Sequence, residues 1–378
     1  MTGVTSVEQT QVPRPPTEPA RPPLTRLPSL TGLRWAAAFL VFGFHVSTLH
    51  LIQPPRAHNA WRDVFGMGAS GVSFFFILSG FVLVWSARPT DTKRAFWQRR
   101  FAKIYPNHVV TWCAVLVLII AWGDHIWKKS VLVNLLLLQT WPANDGYLYG
   151  ANSVSWSLSC EAFFYLCLPF VLPLIRRIPT AGLYATLLGL PLVIYLIDGP
   201  VTHHLLPTAS GWWFSQHFPP VRSLEFWMGV VAAVLSARKK WYGPGLLISS
   251  ILVVGAYVAN SLWIPGGYWL ADMSIFFVLL IAGATKADLS GGFSPWRWPV
   301  LVWLGEVSFA FYLVHVAVME NALRLWHHTS QGWPGAQAPF AVLGCLAAAL
   351  LAAWLLLRFV EKPMMTVLGP KRRVPVKR

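Results

Sequence analysis

Charge is what this chain of 378 residues has least of. Asp, Glu, Lys and Arg together make up 12% of it, about half of what soluble domains carry. Acidic residues are the scarcer kind, 14 against 30 basic ones, which leaves a net charge of +16. Cysteine is also sparse. Cys113, Cys160, Cys167 and Cys345 all fall in apolar segments. Neither a disulfide framework nor zinc-ligand spacing is present, so buried free thiols are expected and no metal site is. No glycine-rich phosphate loop, dinucleotide motif or internal repeat is evident. These absences exclude a disulfide-stapled secreted module, a zinc domain and a nucleotide-binding α/β fold. What the chain has in plenty is apolar surface: 55% hydrophobic residues, with 21 Trp and 10 Tyr of the kind favoured at membrane interfaces. In a soluble protein the positive charge would point to nucleic acid. Here Lys and Arg cluster in short loops between apolar runs, a pattern that sets membrane topology and attracts anionic lipid or anionic cosubstrates. A membrane-lipid partner is expected and a nucleic-acid partner is not.

The apolar runs predict an all-α polytopic membrane protein. About ten transmembrane helices are expected, near 30–51, 68–87, 106–122, 156–175, 181–197, 221–237, 244–262, 268–284, 299–320 and 338–360. Residues 1–29 read as a disordered Pro-rich tail, 30–362 as the transmembrane domain and 363–378 as a basic tail. One set of loops carries Arg88, Lys93, Arg94, Arg99, Arg100 and Lys103, then Arg176 and Arg177, then Arg238 to Lys240. The opposite loops at 198–220 and 263–267 have no Lys or Arg. Both termini are therefore expected in the cytoplasm and the protein in the cell membrane. The stretch 131–141 is too short to span and reads as a re-entrant or interfacial helix on the outer side.

Ionisable residues at membrane depth are expensive and mark function. Arg34 and His45 stand eleven residues apart in one apolar run. That is about three helical turns, so both share a face roughly 16 Å apart. Counting rise along each span, His45, Glu161 and His315 fall at one level in the outer half, with Arg222 and Glu225 just above. Arg34, Arg99 and Arg100 fall near the cytoplasmic face. His203, His204 and His217 read as solvated residues of an outer loop, and Glu361 as a helix stop.

The strings LTGLRWAAAFLVFGFHV, GVSFFFILSGFVL, RRFAKIYP, SVSWSLSCEAFFYLCLP, VRSLEFWMGVVAA, LGEVSFAFYLVHVAV and RFVEKP resemble, in order and spacing, the successive motifs of the acyltransferase-3 family of membrane O-acyltransferases. The resemblance runs from about residue 28 to residue 364. Its arginine-histidine motif falls on Arg34 and His45, its SGF motif on Ser79, Gly80 and Phe81, its basic motif on Arg99, Arg100 and Lys103, and its Trp-Ser-Leu-Glu motif on Trp156, Ser157, Leu158 and Glu161. Lys103 stands where the family commonly has Arg, which keeps charge but loses a bidentate fork. The resemblance implies an enzyme moving acyl groups from cytoplasmic acyl-CoA to a hydroxyl-bearing acceptor: a sugar, a surface glycan or a macrolide-type metabolite. The chain resembles the stand-alone type of this family.

Ester formation from a thioester needs a base for the alcohol and a cradle for the anionic donor. His45 is the expected base. Glu161 is expected to orient its ring. Arg34, Arg99, Arg100 and Lys103 are expected to hold the CoA phosphates. Ser79, Trp156, Ser157, Arg222, Glu225 and His315 are expected at the substrate, Arg222 with Glu225 reading equally well as a structural ion pair. A rival reading makes His45, Glu161 and His315 the relay of a proton-coupled transporter.

Overall fold

The first helix, α1 (Pro28–Thr48), opens with proline in its first turn, where a missing N–H costs nothing. The N–H and hydroxyl of the next residue, Ser29, both donate to the carboxylate of Asp288, which ties this end of the helix to a distant one. The computed structural model describes residues 26–53, 55–87, 91–125, 127–263, 269–327 and 332–370. Most of the Pro-rich segment and the end of the basic tail lie outside these.

After α1 come α2 (Pro55–Phe65), α3 (Ser70–Trp85), α4 (Lys93–Trp122), α5 (Lys128–Leu135), the single-turn α6 (Asp145–Leu148) and α7 (Trp156–Ile175). The second half holds α8 (Thr180–Leu196), the short α9 (Thr202–His204), α10 (Thr208–Gln216), α11 (Pro219–Ala237), α12 (Leu246–Trp263), α13 (Trp269–Ser290), α14 (Pro299–His327), α15 (Gln337–Leu356) and α16 (Lys362–Val367). No strand occurs among the described residues. Nine helical segments there are long and apolar enough to cross a membrane, and a further apolar helix, Leu246–Leu262, is shorter. The protein is an all-α, multi-pass membrane protein, and each of the ten expected spans has a helix. Of the 131–141 stretch only 131–135 is helical, as the end of the eight-residue α5.

The largest difference from expectation is α4. It starts at Lys93, thirteen residues before the expected 106, and runs straight through Pro106. Thr92 caps it by accepting from the Ala95 N–H. Arg99, Arg100 and Lys103 are therefore helical residues, not loop residues. Proline costs one intrahelical bond, which membrane helices tolerate because neighbouring groups satisfy the freed carbonyl.

Burying an apolar side chain between membrane helices gains little over leaving it in lipid, so close packing and polar contacts hold the bundle. The tightest seam joins α3 to α11. A Cβ at Gly80 would collide with the Phe226 carbonyl, and one at Gly229 with that of Ile77. The glycine of the SGF motif is thus a packing residue. Phe76, Phe164 and Phe226 fill the space beside this seam and are fully buried. A second seam sets α1 against α14. The outward faces of α4, α8 and α15 stay apolar and exposed, with Ile120, Leu188 and Leu351 among them.

Candidate active site

Two cavities meet inside the bundle. The first, about 130 Å³, is lined by Arg34 from α1, Ser79 from α3, Arg100 and Lys103 from α4, and Ser157, Glu161 and Tyr165 from α7. The second, about 330 Å³, is lined by His45, Trp156, Trp212, Gln216, His217 and Arg222, with Tyr149 at its edge. Val72 and Tyr312 line both. Arg34 and His45 stand on one helix yet face different cavities. Trp156 and Ser157, neighbours at the start of α7, are divided the same way.

The basic cavity gathers three cations around one carboxylate. Glu161 hydrogen-bonds Tyr165 and faces the charges of Arg34, Lys103 and Arg100. The Tyr165 hydroxyl also meets Ser79 Oγ at 3.0 Å. Arg100 Nε is buried without a hydrogen-bond partner. A second carboxylate lies behind the cluster. Glu361 is not a solvent-side helix stop. It is buried, closes the single π-turn Leu357–Glu361 after α15, and accepts from Asn107 Nδ2 at 2.9 Å. Asn107 lies one turn beyond Lys103 on α4. Arg99 is absent from the cavity and pairs with Asp91 at 2.7 Å, a third exposed. Adjacent helical residues point about 100° apart, so only one of Arg99 and Arg100 can face inward, and Arg100 shares its face with Lys103.

The histidine cavity is built differently. His45 Nδ1 lies 2.9 Å from the Val41 carbonyl and 3.1 Å from His315 Nε2. His315 Nδ1 lies 2.8 Å from the Tyr312 carbonyl. A carbonyl only accepts, so both Nδ1 atoms carry hydrogen. His315 Nε2 is then the acceptor, His45 Nδ1–H donates to it, and His45 Nε2 is left with a lone pair. No hydrogen bond among the described residues uses that lone pair. The expected Glu161 does not meet His45; its side chain belongs to the basic cavity, and fully buried His315 takes the orienting position. Glu161 shares its cavity with Arg34, eleven residues before His45 on α1, while Trp156, five residues before Glu161 on α7, lines the cavity of His45, so Glu161 lies deeper than His45.

Arg222 is fully inside. It pairs with Glu225 at 3.1 Å, donates to Ser73 Oγ at 3.2 Å and lies over the Phe76 ring at 5.1 Å. His217 is likewise buried, not solvated: its ring stands 4.5 Å from Trp156 and 4.5 Å from Trp212. Of the other two outer-loop histidines, His204 is exposed and the side chain of His203 lies outside the described residues. Cys160 Sγ–H donates to the His217 carbonyl at 3.4 Å, which fits a structural thiol. Sequence reasoning missed His217, Tyr165 and Tyr312. Tyr165 had a signal: it follows Glu161 by four residues, the spacing at which helical side chains touch.

A lone-pair imidazole, a buried guanidinium and an adjoining cationic cavity suit acyl transfer from an anionic donor. A family model of an acyltransferase domain matches residues 27–358. The chain belongs to this acyltransferase-3 family. It is 39% identical over 372 residues to Acyltransferase MdmB of Streptomyces mycarofaciens, covering 93% of this chain and 95% of that one. It is 26% identical over 373 residues to Nodulation protein 10 of Rhizobium leguminosarum bv. viciae, covering 88% and 91%. With O-acetyltransferase OatA of Staphylococcus aureus it shares 24% identity over 333 residues, 78% of this chain and 50% of that one. No solved structure matches significantly. The protein is a membrane O-acyltransferase.

Proposed function

We propose that this enzyme, in the cell membrane, takes the acyl group of cytoplasmic acyl-CoA and places it on a hydroxyl of a sugar, glycan or macrolide-type metabolite. The observation that carries the reading is the fixed tautomer of His45, whose lone-pair Nε2 belongs to a residue lining the larger cavity. The basic cavity fits the donor. Arg34, Arg100 and Lys103 outnumber Glu161, and Arg100 Nε lacks a partner. Guanidinium groups match phosphate oxygens in pairs. With both termini in the cytoplasm, as the loop charges imply, this cavity opens on the side where acyl-CoA is found.

The acceptor enters the histidine cavity. His45 Nε2 takes the hydroxyl proton as the oxygen attacks the thioester carbonyl. The tetrahedral intermediate collapses, the carbon–sulfur bond breaks, and the thiolate takes the proton back from the imidazolium. His315 holds the ring through Nδ1 and faces the cation with a lone pair. Glu161 acts on the donor side, where it fixes the cationic side chains.

The test is transfer by purified protein. Labelled acyl-CoA with an acceptor panel of amino sugars, neutral glycans and macrolides should yield an acyl ester and free CoA in equal amounts. His45→Ala should yield neither while keeping its melting profile. Normal ester formation by that variant would remove His45 as the base.

A further inference from the structure

An acyl transfer needs one more group than those assigned so far. As the hydroxyl attacks, the thioester oxygen becomes an anion, and a preorganised N–H or O–H has to meet it. His45 is occupied with the incoming proton, and Arg34, Arg100 and Lys103 belong to the other cavity.

Arg222 lines the histidine cavity and is 2% exposed. Its Nη2 serves Ser73 and Glu225, and its plane is braced by Phe76 and Trp156. Its Nε–H has no partner, although it is buried. A buried, unpaired donor costs about 1–3 kcal/mol, so a folded protein keeps one chiefly where a ligand supplies the acceptor. Two oxygens enter this cavity during the reaction. The hydroxyl oxygen needs an acceptor for its proton, which is His45. The carbonyl oxygen needs a donor.

We infer that Arg222 is a catalytic residue whose Nε–H receives the thioester carbonyl oxygen and stabilises the oxyanion of the tetrahedral intermediate. Glu225 and Ser73 hold the neighbouring Nη2, and Glu225 offsets the charge of the guanidinium. Attack forms the carbon–oxygen bond and moves the carbonyl electron pair onto the oxygen at Nε–H. Collapse returns that pair, breaks the carbon–sulfur bond and releases thiolate, which His45 reprotonates. The inference rests on the acyl-transfer reading above.

Arg222→Lys keeps the charge and removes the Nε–H. Its kcat should fall about 100-fold or more, the usual effect of losing one oxyanion donor. KM for donor and acceptor should change less than about threefold, because the contact strengthens only in the transition state. If that variant does not fold, Arg222→Gln with Glu225→Gln, a neutral pair of similar size, is judged by the same two numbers. A kcat within about threefold of wild type would overturn the inference. So would a loss confined to acceptor KM, which would make Arg222 an acceptor-binding residue. His45→Ala separates the two readings. If it is inactive while Arg222→Lys is active, the base stands and the oxyanion role fails; if His45→Ala is active, the underlying mechanism fails first.

Discussion

The two cavities share two wall residues, yet they handle charge in opposite ways. In the histidine cavity the one full charge on the wall, Arg222, stands beside an opposite charge, although its Nε–H is left without a hydrogen-bond partner. Arg222 has Glu225, and the two imidazoles are joined to each other and to backbone carbonyls. Aromatic rings make much of the remaining wall. In the basic cavity Arg34, Arg100 and Lys103 face one lining carboxylate, Glu161, with Glu361 behind them, so the cavity wall itself carries more positive than negative charge. Leftover charge inside a membrane bundle costs stability unless a ligand answers it. On the proposed function, the difference matches an anionic donor to the basic side and a neutral hydroxyl compound to the aromatic side.

That comparison can be broken at several points. The largest effect should come from Glu225→Ala. Removing one partner of a fully buried pair leaves Arg222 uncompensated, which costs about 3–5 kcal/mol. Melting of the detergent-solubilised protein reads this directly, and an unchanged profile would mean the pair is not internally balanced. Next come Arg34→Ala and Arg100→Ala. Each should weaken acyl-CoA binding by about 1.5–3 kcal/mol, the range for a hydrogen bond to a charged group. Calorimetry on both variants is the check. Glu161→Gln should then cost about tenfold in donor kcat/KM, or about 1.4 kcal/mol, with the change in KM and kcat little altered. A loss in kcat alone would return Glu161 to the side of His45. The smallest effect belongs to Arg99→Ala. Its pair with Asp91 is partly exposed, where ion pairs contribute about 0–1 kcal/mol, so donor affinity should stay within about twofold. A large loss there would place Arg99 at the phosphates after all.

Much of this was legible in the sequence. The ten apolar runs, the inward placement of Arg34 and His45, and the common level of His45 and His315 all follow from helical rise and the cost of buried charge. What sequence could not give is rotation. Rise per residue fixes how high a group stands, while the azimuth of one helix against another is set by packing such as the Gly80–Gly229 seam. Glu161 is expected beside His45, whereas it lines a cavity with Arg34, eleven residues earlier on α1. The same blindness treated Arg99 and Arg100 as equals, although helical geometry sends them apart. His217 was misread for another reason. Its loop is polar enough to look solvated, and only the chain's return over Trp156 and Trp212 buries it. The helix of the 106–122 span begins earlier, at Lys93, because its first turns carry too much charge to read as part of an apolar run.

The central claim is a division of labour: the basic cavity binds the donor and His45 performs the chemistry. Equilibrium binding of acyl-CoA to His45→Ala, measured beside its single-turnover rate, tests it most directly. The account predicts a Kd within about twofold of wild type together with a transfer rate lower by about 10²–10⁴-fold, the share of a general base. A Kd weakened tenfold or more in a folded variant, or a transfer rate near that of wild type, would contradict it.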